Sequence, residues 1–254
     1  MVTTTAHQMP IWKIGLNYAG RQSQGERPNQ EDAYGVVPPE EMGDDNALLA
    51  VVADGMGGHA AGEIASELAV QAFVDGFFDA DSIDDASRLW AGLEAANTEI
   101  GKMVQTRPDL SGMGTTLLAI LIRDGTARWI SVGDSPLYLF RDGSLQRLNR
   151  LHVEEPTVGP DDLSPNRPGA LASAVIGERL YEVDDQAPVN LVLGDLLVAA
   201  SDGLNTLSEA EMVRLLADSP QLSAASHAEA LLTAVEASGR PRQDNTTVLV
   251  MLQP

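Results

Sequence analysis

Cysteine is absent from this chain of 254 residues. Its absence excludes disulfide bonds, thiolate nucleophiles and cysteine-ligated zinc or iron. Long apolar runs are absent too, since none approaches the roughly 18 residues that a membrane span needs. The first residues, MVTTTAHQMP, lack the basic flank and apolar core of a secretory signal. Together these absences predict a soluble, cytoplasmic protein.

Basic residues are scarce: 16 lysines and arginines face 37 aspartates and glutamates, which gives a formal net charge of −21. Nucleic acid and anionic membranes would be repelled by such a chain, so we expect neither as a partner. Most of the carboxylates are expected to lie on a solvated surface. A minority can gather at a site that takes cations.

Hydrophobic residues make up 44% of the chain, enough for a sizeable core in one large domain or two small ones. Predicted strands lie at both ends and in the middle of the sequence, with pairs of helices between them. This order suggests sheets in the centre and helices outside. We therefore predict an α+β fold and a single domain over residues 1–254.

The strands are predicted from apolar periodicity. Residues 12–18 alternate between apolar and polar side chains, as a half-buried strand does. Residues 47–54, ALLAVVAD, are apolar on both faces, as in a strand covered above and below. Residues 195–203, DLLVAASDG, repeat the pattern of apolar strand, Asp and Gly, and the chain closes with another strand, NTTVLVML. The Asp-Gly pairs at residues 124–125 and 142–143 separate apolar segments and predict the hairpins of an antiparallel meander.

Helices are predicted where apolar residues recur at helical spacing, the first between Ala65 and Phe77. Three further helices are expected to begin with capping boxes, formed by Ser82 with Asp85, Ser208 with Glu211, and Ser226 with Glu229. Between the two pairs of helices, residues 149–182 contain several prolines and are predicted to form an irregular, flap-like excursion.

Five aspartates stand at the ends of predicted strands. Three follow a strand and two precede one: Asp54, Asp134 and Asp202 at the exits, Asp32 and Asp244 at the entrances. Neighbouring antiparallel strands place an exit beside an entrance, so one rim can collect all five. Their mutual repulsion would be relieved by hard divalent ions, which prefer oxygen ligands. Independent turn aspartates are the alternative.

Six segments, in this order, carry a resemblance to a known family: RPNQEDAY (27–34), VVADGMGGHAAGE (51–63), GTTL (114–117), SVGDSP (131–136), AASDGL (199–204) and RQDNTTVLV (242–250). From about residue 14 to residue 252 the chain resembles the metal-dependent protein phosphatases of type 2C, the PPM family, in their compact bacterial form. The resemblance implies a four-layer αββα sandwich, in which helices flank two antiparallel sheets.

The resemblance also implies two core Mn²⁺ or Mg²⁺ ions at one edge of the sandwich. Asp54 would bridge them, the Gly55 carbonyl would bind one of them, and Asp202 and Asp244 would bind the other. Asp134 resembles an aspartate that helps to hold a third, weaker ion. Two further acidic residues, Glu31 and Asp32, match positions that act mainly through metal-bound waters.

The activity that the resemblance implies is hydrolysis of phosphoserine and phosphothreonine in proteins, by a hydroxide that bridges the metals. Arg27 would grip the substrate phosphate, because a planar guanidinium can hold two phosphate oxygens. The alternative for Arg27 is an ordinary ion pair with the nearby Glu31 and Asp32. Phosphorylated proteins, targets of serine/threonine kinases, would be the partners.

Two other functions stay open at this point. A family-like domain that has lost turnover would bind phosphoproteins as a regulatory module, although every main metal ligand is retained. A hydrolase of nucleotides or other small phosphoesters would keep the metal chemistry and change the substrate.

Several residues depart from the family pattern. Met56 replaces the histidine that many eukaryotic relatives use after the Asp-Gly pair, and Pro136 stands where arginine is frequent. We expect His59 to cap or pack locally rather than to act as an acid. Leu151-His152-Val153 replaces a common Asp-His-Ser, so no flap residue is assigned a role.

Overall fold

The computed structural model describes residues 12–57, 61–154, 171–218 and 222–254. Its strands are β1 (Tyr18–Ser23), β2 (Asp32–Val37), β3 (Ala47–Met56), β4 (Gly114–Thr115), β5 (Leu117–Arg123), β6 (Thr126–Val132), β7 (Leu137–Arg141), β8 (Ser144–Arg147), β9 (Val189–Asn190), β10 (Leu196–Ala200) and β11 (Thr246–Leu252). Its helices are α1 (Pro39–Met42), α2 (Ala61–Asp79), α3 (Asp85–Thr106), α4 (Glu209–Ala217) and α5 (Ala224–Ala237), with short 3₁₀ helices at Pro108–Leu110 and Asp202–Thr206.

The strands form two antiparallel sheets. One has the order β1-β11-β10-β7-β8; the other has the order β2-β3-β5-β6-β9, with the short β4 paired to β3. Both predicted Asp-Gly hairpins are present, as β5–β6 and β7–β8. The predicted meander is nevertheless divided, because the chain crosses from one sheet to the other between β6 and β7.

Three apolar cores hold four layers together. The middle core lies between the sheets and contains side chains from both, such as Leu118 and Leu249. A second core joins the β2–β3–β5–β6 sheet to α2 and α3, and a third joins the other sheet to α4 and α5. The predicted four-layer αββα sandwich is therefore confirmed.

The prediction of a strand over residues 12–18 is wrong. Gly15 has a φ of +77° and its N–H donates to the Tyr18 carbonyl at 2.7 Å, so the chain turns there and β1 begins at Tyr18. Of the four apolar residues in the alternation, Trp12 and Tyr18 are buried, whereas Ile14 is 80% and Leu16 52% exposed. A local turn has overridden the period-2 pattern.

The predicted helix starts are partly correct. Ser208 and Glu211 form the capping box of α4. The other two helices begin elsewhere: Asp84 caps α3 by accepting from the Ser87 N–H, and Ser223 caps α5 by accepting from the Ser226 N–H. In both cases a better-placed acceptor lies near the predicted one in the sequence.

Residues 155–170 of the predicted excursion lie outside the described residues, as does His59. On either side of that gap, Val153 and Leu171 pair through an isolated antiparallel bridge. Among the residues that the structure describes, no helix is both long enough and apolar enough to cross a membrane.

Candidate metal centre

Strand register brings Asp32 and Asp54 together. They are direct cross-strand partners at one end of the β2–β3 pair, as expected for the entrance of one strand beside the exit of another. Asp54 is held there by its backbone: its N–H donates to Thr116 Oγ1 at 3.0 Å and its carbonyl accepts from the Thr116 N–H at 2.9 Å. The carboxylate position is thus fixed by the sheet.

The other three aspartates reach the same end from the turns next to their strands. Asp202 opens the 3₁₀ helix that follows β10, and Asp244 precedes β11, the antiparallel neighbour of β10. Asp134 lies in the turn between β6 and β7. Asp54, Asp134, Asp202 and Asp244 line one pocket, and Asp32 pairs with Asp54 across the strands, so the five aspartates lie at the same end of the sandwich.

A pocket of 330 Å³ opens at this rim. Its lining includes Arg27, Glu31, Asp54, Gly55, Asp134, Asp202 and Asp244, together with Met56, Gly57, Thr116, Leu171 and Asn245. Every predicted site residue except Asp32 therefore lines one pocket. A larger groove of 680 Å³ lies along α5, but four of its nine lining residues are alanine and it contains a single carboxylate, Glu229. Pocket volume alone therefore does not identify the site.

Asp32 lies just beneath the rim, between the two sheets, and is only 6% exposed. Its Oδ2 accepts 2.7 Å hydrogen bonds from Ser201 Oγ and Thr247 Oγ1, both on the opposite sheet. Its Oδ1 has no partner among the described residues. Burial raises the pKa of Asp32 to about 6, although the two hydroxyl groups oppose the shift.

Without bound cations, the charged forms of the rim carboxylates are unfavourable. Burial raises the pKa of Asp54 well above its usual value, and the charges of the neighbouring aspartates add to the shift. Burial, followed by the charges of Asp134 and Asp244, raises the pKa of Asp202 to about 7, while Arg27 opposes it. Burial also raises the pKa of Asp134. Burial is the largest cause of each shift, and neighbouring carboxylates add to it for Asp54 and Asp202.

Arg27 is the basic residue that contacts this cluster in the described structure. Its Nη2 donates to Asp244 Oδ2, rather than to the sequence neighbours Glu31 and Asp32. Burial alone would lower the pKa of Arg27, but the hydrogen bond and charge of Asp244 raise it. The local ion pair considered as an alternative for Arg27 is therefore absent from the described structure.

Gly55 allows two backbone segments to approach closely. A Cβ at this position would lie 2.0 Å from the Gly62 carbonyl oxygen and 2.6 Å from the Glu31 carbonyl oxygen. Its N–H donates to that Glu31 carbonyl at 3.0 Å. A side chain here would force the backbone of the rim apart, which accounts for glycine at this position.

The donor set fits hard divalent cations. It consists of carboxylate and carbonyl oxygens, and its raised pKa values mean that added positive charge would stabilise it. In the described residues, however, no three acidic or histidine side chains are already arranged around a single point. Asp32 instead faces its two hydroxyl partners, and Asp244 faces Arg27.

Comparison with known families identifies this architecture. The profile of the family described as protein phosphatase 2C matches residues 20–235, most of the chain. The chain belongs to the protein phosphatase 2C family. The family resemblance seen in the six sequence segments is therefore confirmed.

Two of the curated relatives come from bacteria. The chain is 33% identical over 245 residues to the serine/threonine protein phosphatase PstP of Mycobacterium tuberculosis, covering 92% of this chain and 44% of PstP. It is 32% identical over 237 residues to the serine/threonine phosphatase Stp of Listeria monocytogenes, covering 89% of this chain and 90% of Stp. The chain thus spans less than half of the length of PstP and most of the length of Stp.

Solved structures of the family agree with the fold. A crystal structure of the M. tuberculosis phosphatase superposes with a TM-score of 0.75 at 31% identity, covering 94% of this chain and 99% of the other. A second structure, the PstP catalytic domain in complex with two manganese ions, has a TM-score of 0.73 at 32% identity and covers 93% and 97%. The αββα fold is shared.

Sequence reasoning missed the polar residues that support the rim. Ser201 and Thr247 hold Asp32, while Asn245 Oδ1 accepts from the Glu31 N–H at 2.8 Å. All three lie inside the family segments, directly beside a rim aspartate or within three residues of one. A small hydroxyl or amide residue next to a strand-end aspartate is the signal that was available.

The departures from the family pattern leave the rim intact. Met56 lines the pocket. Pro136 is buried, does not line the pocket, and accepts the Ala200 N–H at 3.1 Å through its carbonyl. Pro136 therefore lies outside the pocket that the aspartates line.

Proposed function

We propose that this protein is a metal-dependent phosphatase that removes phosphate from phosphoserine and phosphothreonine in proteins. The observation that carries the proposal is the convergence of five carboxylates and one arginine on a single 330 Å³ pocket, in a chain of the protein phosphatase 2C family. We infer that the whole chain acts as one phosphatase domain.

The residues around the pocket have distinct proposed roles. Asp54 would bridge two ions, the Gly55 carbonyl would bind one, and Asp202 and Asp244 would bind the other. Asp134 lines the same pocket as Asp202, where its charge adds to the raised pKa of Asp202, and it would help to hold a weaker third ion. When bound, the divalent ions supply the positive charge that activates water and offsets phosphate charge.

Two acidic residues at the start of β2, Glu31 and Asp32, would act on the ions indirectly. The Glu31 backbone is fixed by Asn245 and by the Gly55 N–H. Asp32 is anchored by hydroxyls of the opposite sheet. Both would orient water around the ions rather than bind them directly.

Arg27 would bind the substrate phosphate at the mouth of the pocket. Its side chain is 47% exposed, so a phosphate group can reach the guanidinium from solvent. Its present partner, Asp244, is itself a proposed metal ligand. Once Asp244 faces a cation, Arg27 is released to hold two phosphate oxygens in its planar fork.

Hydrolysis of an aryl phosphate in the presence of manganese tests the metal chemistry. We expect turnover by the wild-type protein, its loss on chelation, and its restoration by fresh manganese. Asp54→Asn keeps the shape of the side chain and removes its charge, so its activity should fall to background. Equal rates for wild type and Asp54→Asn would overturn the proposal.

Specificity constants for phosphopeptides and nucleotides test the substrate class. A protein phosphatase should prefer phosphoserine and phosphothreonine peptides, whereas a small-molecule hydrolase should prefer nucleotides. Tight phosphopeptide binding without turnover would indicate a regulatory binding module instead. Parallel titrations with Mn²⁺ and Mg²⁺ would rank the two ions and count the sites, since availability as well as affinity decides the ion in a cell.

A further inference from the structure

The turn that carries Asp134 is held by a short segment after β8. His152 binds Gly133 twice: its N–H donates to the Gly133 carbonyl at 2.9 Å, and its Nδ1 accepts from the Gly133 N–H at 3.1 Å. The imidazole is 1% exposed. Because Nδ1 accepts, the neutral ring must carry its proton on Nε2. The residue before Asp134 is therefore clamped through both of its backbone polar groups.

A second side chain of the same segment holds the far side of the turn. Asn149 Oδ1 accepts from the Leu137 N–H at 2.8 Å, and its Nδ2 donates to the Ser135 carbonyl at 2.9 Å. Asn149 is also buried, at 4% exposure. The segment from Asn149 to His152 thus grips the turn on both sides of Asp134, whose own carboxylate lines the pocket.

The turn depends on this outside support because of its backbone geometry. Gly133 has a φ of +108°, which side-chain-bearing residues rarely adopt, and a Cβ there would lie 2.7 Å from Thr116 Cβ. The residues from Gly133 to Pro136 belong to no strand or helix. Their backbone groups therefore need partners from elsewhere in the chain, and the Asn149–His152 segment provides several of them.

A hydroxyl pair connects this turn to the strand of Asp54. Ser135 Oγ and Thr116 Oγ1 lie 2.7 Å apart, and the same Thr116 oxygen accepts the Asp54 N–H. The turn and the Asp54 backbone therefore share one hydrogen-bonding partner, Thr116 Oγ1. The position of Asp134 relative to Asp54 is set by contacts that involve neither carboxylate.

We propose that His152 is a positioning residue, whose buried imidazole fixes the Gly133–Asp134 turn and thereby sets how tightly the rim holds the ion bound through Asp134. The proposal rests on the proposed function, since it needs Asp134 to be an ion ligand. His152 touches neither substrate nor ion in this scheme. Residues that orient metal ligands through hydrogen bonds typically change metal affinity about 10–100-fold when removed.

Two substitutions separate the hydrogen bond from the bulk of the ring. His152→Leu fills the buried space and removes the acceptor. His152→Asn places an amide oxygen near the position of Nδ1, so it can accept the Gly133 N–H again. A matched control is His227→Leu, since His227 is also 1% exposed but lies in α5 and has no partner for either ring nitrogen among the described residues.

Calorimetric titration with Mn²⁺ is the main readout, together with hydrogen exchange of the Gly133 amide in the metal-free protein. We expect His152→Leu to speed Gly133 exchange and to weaken manganese binding at the Asp134 site by about 10-fold. His152→Asn should recover most of both, and His227→Leu should change neither. In an Asp134→Asn background, His152→Leu should have no further effect on manganese binding.

Several results would overturn the proposal. One is an unchanged rate of Gly133 amide exchange in His152→Leu. Another is a loss of manganese affinity in His227→Leu that equals the loss in His152→Leu. A third is a loss of manganese affinity on adding His152→Leu to Asp134→Asn that equals its effect in the wild type. Failure to rescue with His152→Asn, if that variant folds, would count against it as well. If only this proposal is wrong, the wild type still shows metal-dependent phosphatase activity. If the wild type shows no metal-dependent turnover, the proposed function itself is wrong.

Discussion

The two ends of strand β10 present the same residue type in opposite settings. Asp195 precedes the strand and is 2% exposed, and its carboxylate accepts from Arg141 Nε and from the Val192 N–H, each at 2.8 Å. Asp202 follows the strand, seven residues and roughly 23 Å further along. Among the described residues, no hydrogen bond to its side chain is found, and burial raises its pKa to about 7.

The comparison separates a structural carboxylate from a functional one. A buried carboxylate that serves stability is supplied with donors and a counter-charge, as Asp195 is by Arg141. Asp202 and Asp54 are buried among other carboxylates instead, which destabilises the charged state. Hard cations match the oxygen donors of this arrangement and would supply the positive charge that it lacks.

The largest expected effect is the loss of catalysis when a carboxylate of the rim is neutralised. Asp54→Asn should lower kcat for an aryl phosphate by about 10³-fold, since a bound metal contributes several kcal/mol to such reactions and each 1.36 kcal/mol corresponds to about tenfold in rate. Asp195→Asn should retain nearly wild-type kcat per folded molecule. A comparable loss in both variants would erase the distinction between the two ends.

Substitution of Asp195, the carboxylate paired with Arg141, should affect stability rather than catalysis. Asp195→Asn removes the negative partner of Arg141 and should lower the free energy of unfolding by about 2 kcal/mol, the range for hydrogen bonds to charged groups. Urea denaturation in the absence of metal measures this. An unchanged midpoint would mean that the Asp195 pair contributes nothing to stability.

Without metal, the protein should become more stable when the charge of Asp202 is removed. Without metal, Asp202→Asn should raise the free energy of unfolding by on the order of 2 kcal/mol at a pH above about 7, given the large pKa shift. Adding manganese should reverse the order, because the wild type then binds ions more tightly. A variant that is less stable than wild type without metal would contradict the electrostatic account.

The pH dependence of that difference follows from the sign of the shift. The pKa of Asp202 is about 7 in the folded protein and near 3.8 when unfolded, so the folded state binds more protons between these values. Wild-type stability without metal should therefore fall, relative to Asp202→Asn, as pH rises through this window. The difference should be small near pH 4 and greatest above about pH 7. A difference independent of pH would assign it to packing.

The smallest expected effect on stability is that of a solvent-exposed ion pair, which serves as the reference for the buried aspartates. Arg107 and Asp109 form a 2.7 Å pair, but their side chains are 54% and 61% exposed. Asp109→Asn should leave both the urea midpoint and the activity nearly unchanged, because solvent screens an exposed pair. A larger change would show that local pairing, rather than burial, decides which aspartates matter.

The sequence predicted the rim because strand ends are visible in it. An apolar run that stops at Asp54 or Asp202 marks an edge of a sheet, and antiparallel pairing then brings such edges together. The supporting hydroxyls were not predicted, since Ser201 and Thr247 reach Asp32 across the gap between sheets. Such contacts depend on how the two sheets face each other, which periodicity does not encode.

The errors in secondary structure have a common origin. Alternation over residues 12–18 favours a strand, but the positive φ of Gly15 and the bond from its N–H to the Tyr18 carbonyl favour a turn. Likewise Asp84, rather than Ser82, caps α3 because its carboxylate reaches the Ser87 N–H at 2.9 Å. Short polar residues near an element boundary compete locally, and small differences in geometry decide the outcome.

Calorimetric titration of the metal-free protein with Mn²⁺ tests the central claim most directly: carboxylates from distant strands converge because cations complete them. We predict that the wild type binds at least two ions and that Asp195→Asn binds them equally well. Asp54→Asn should bind them at least about tenfold more weakly. Wild-type affinity in Asp54→Asn, or an equal loss in Asp195→Asn, would contradict the account.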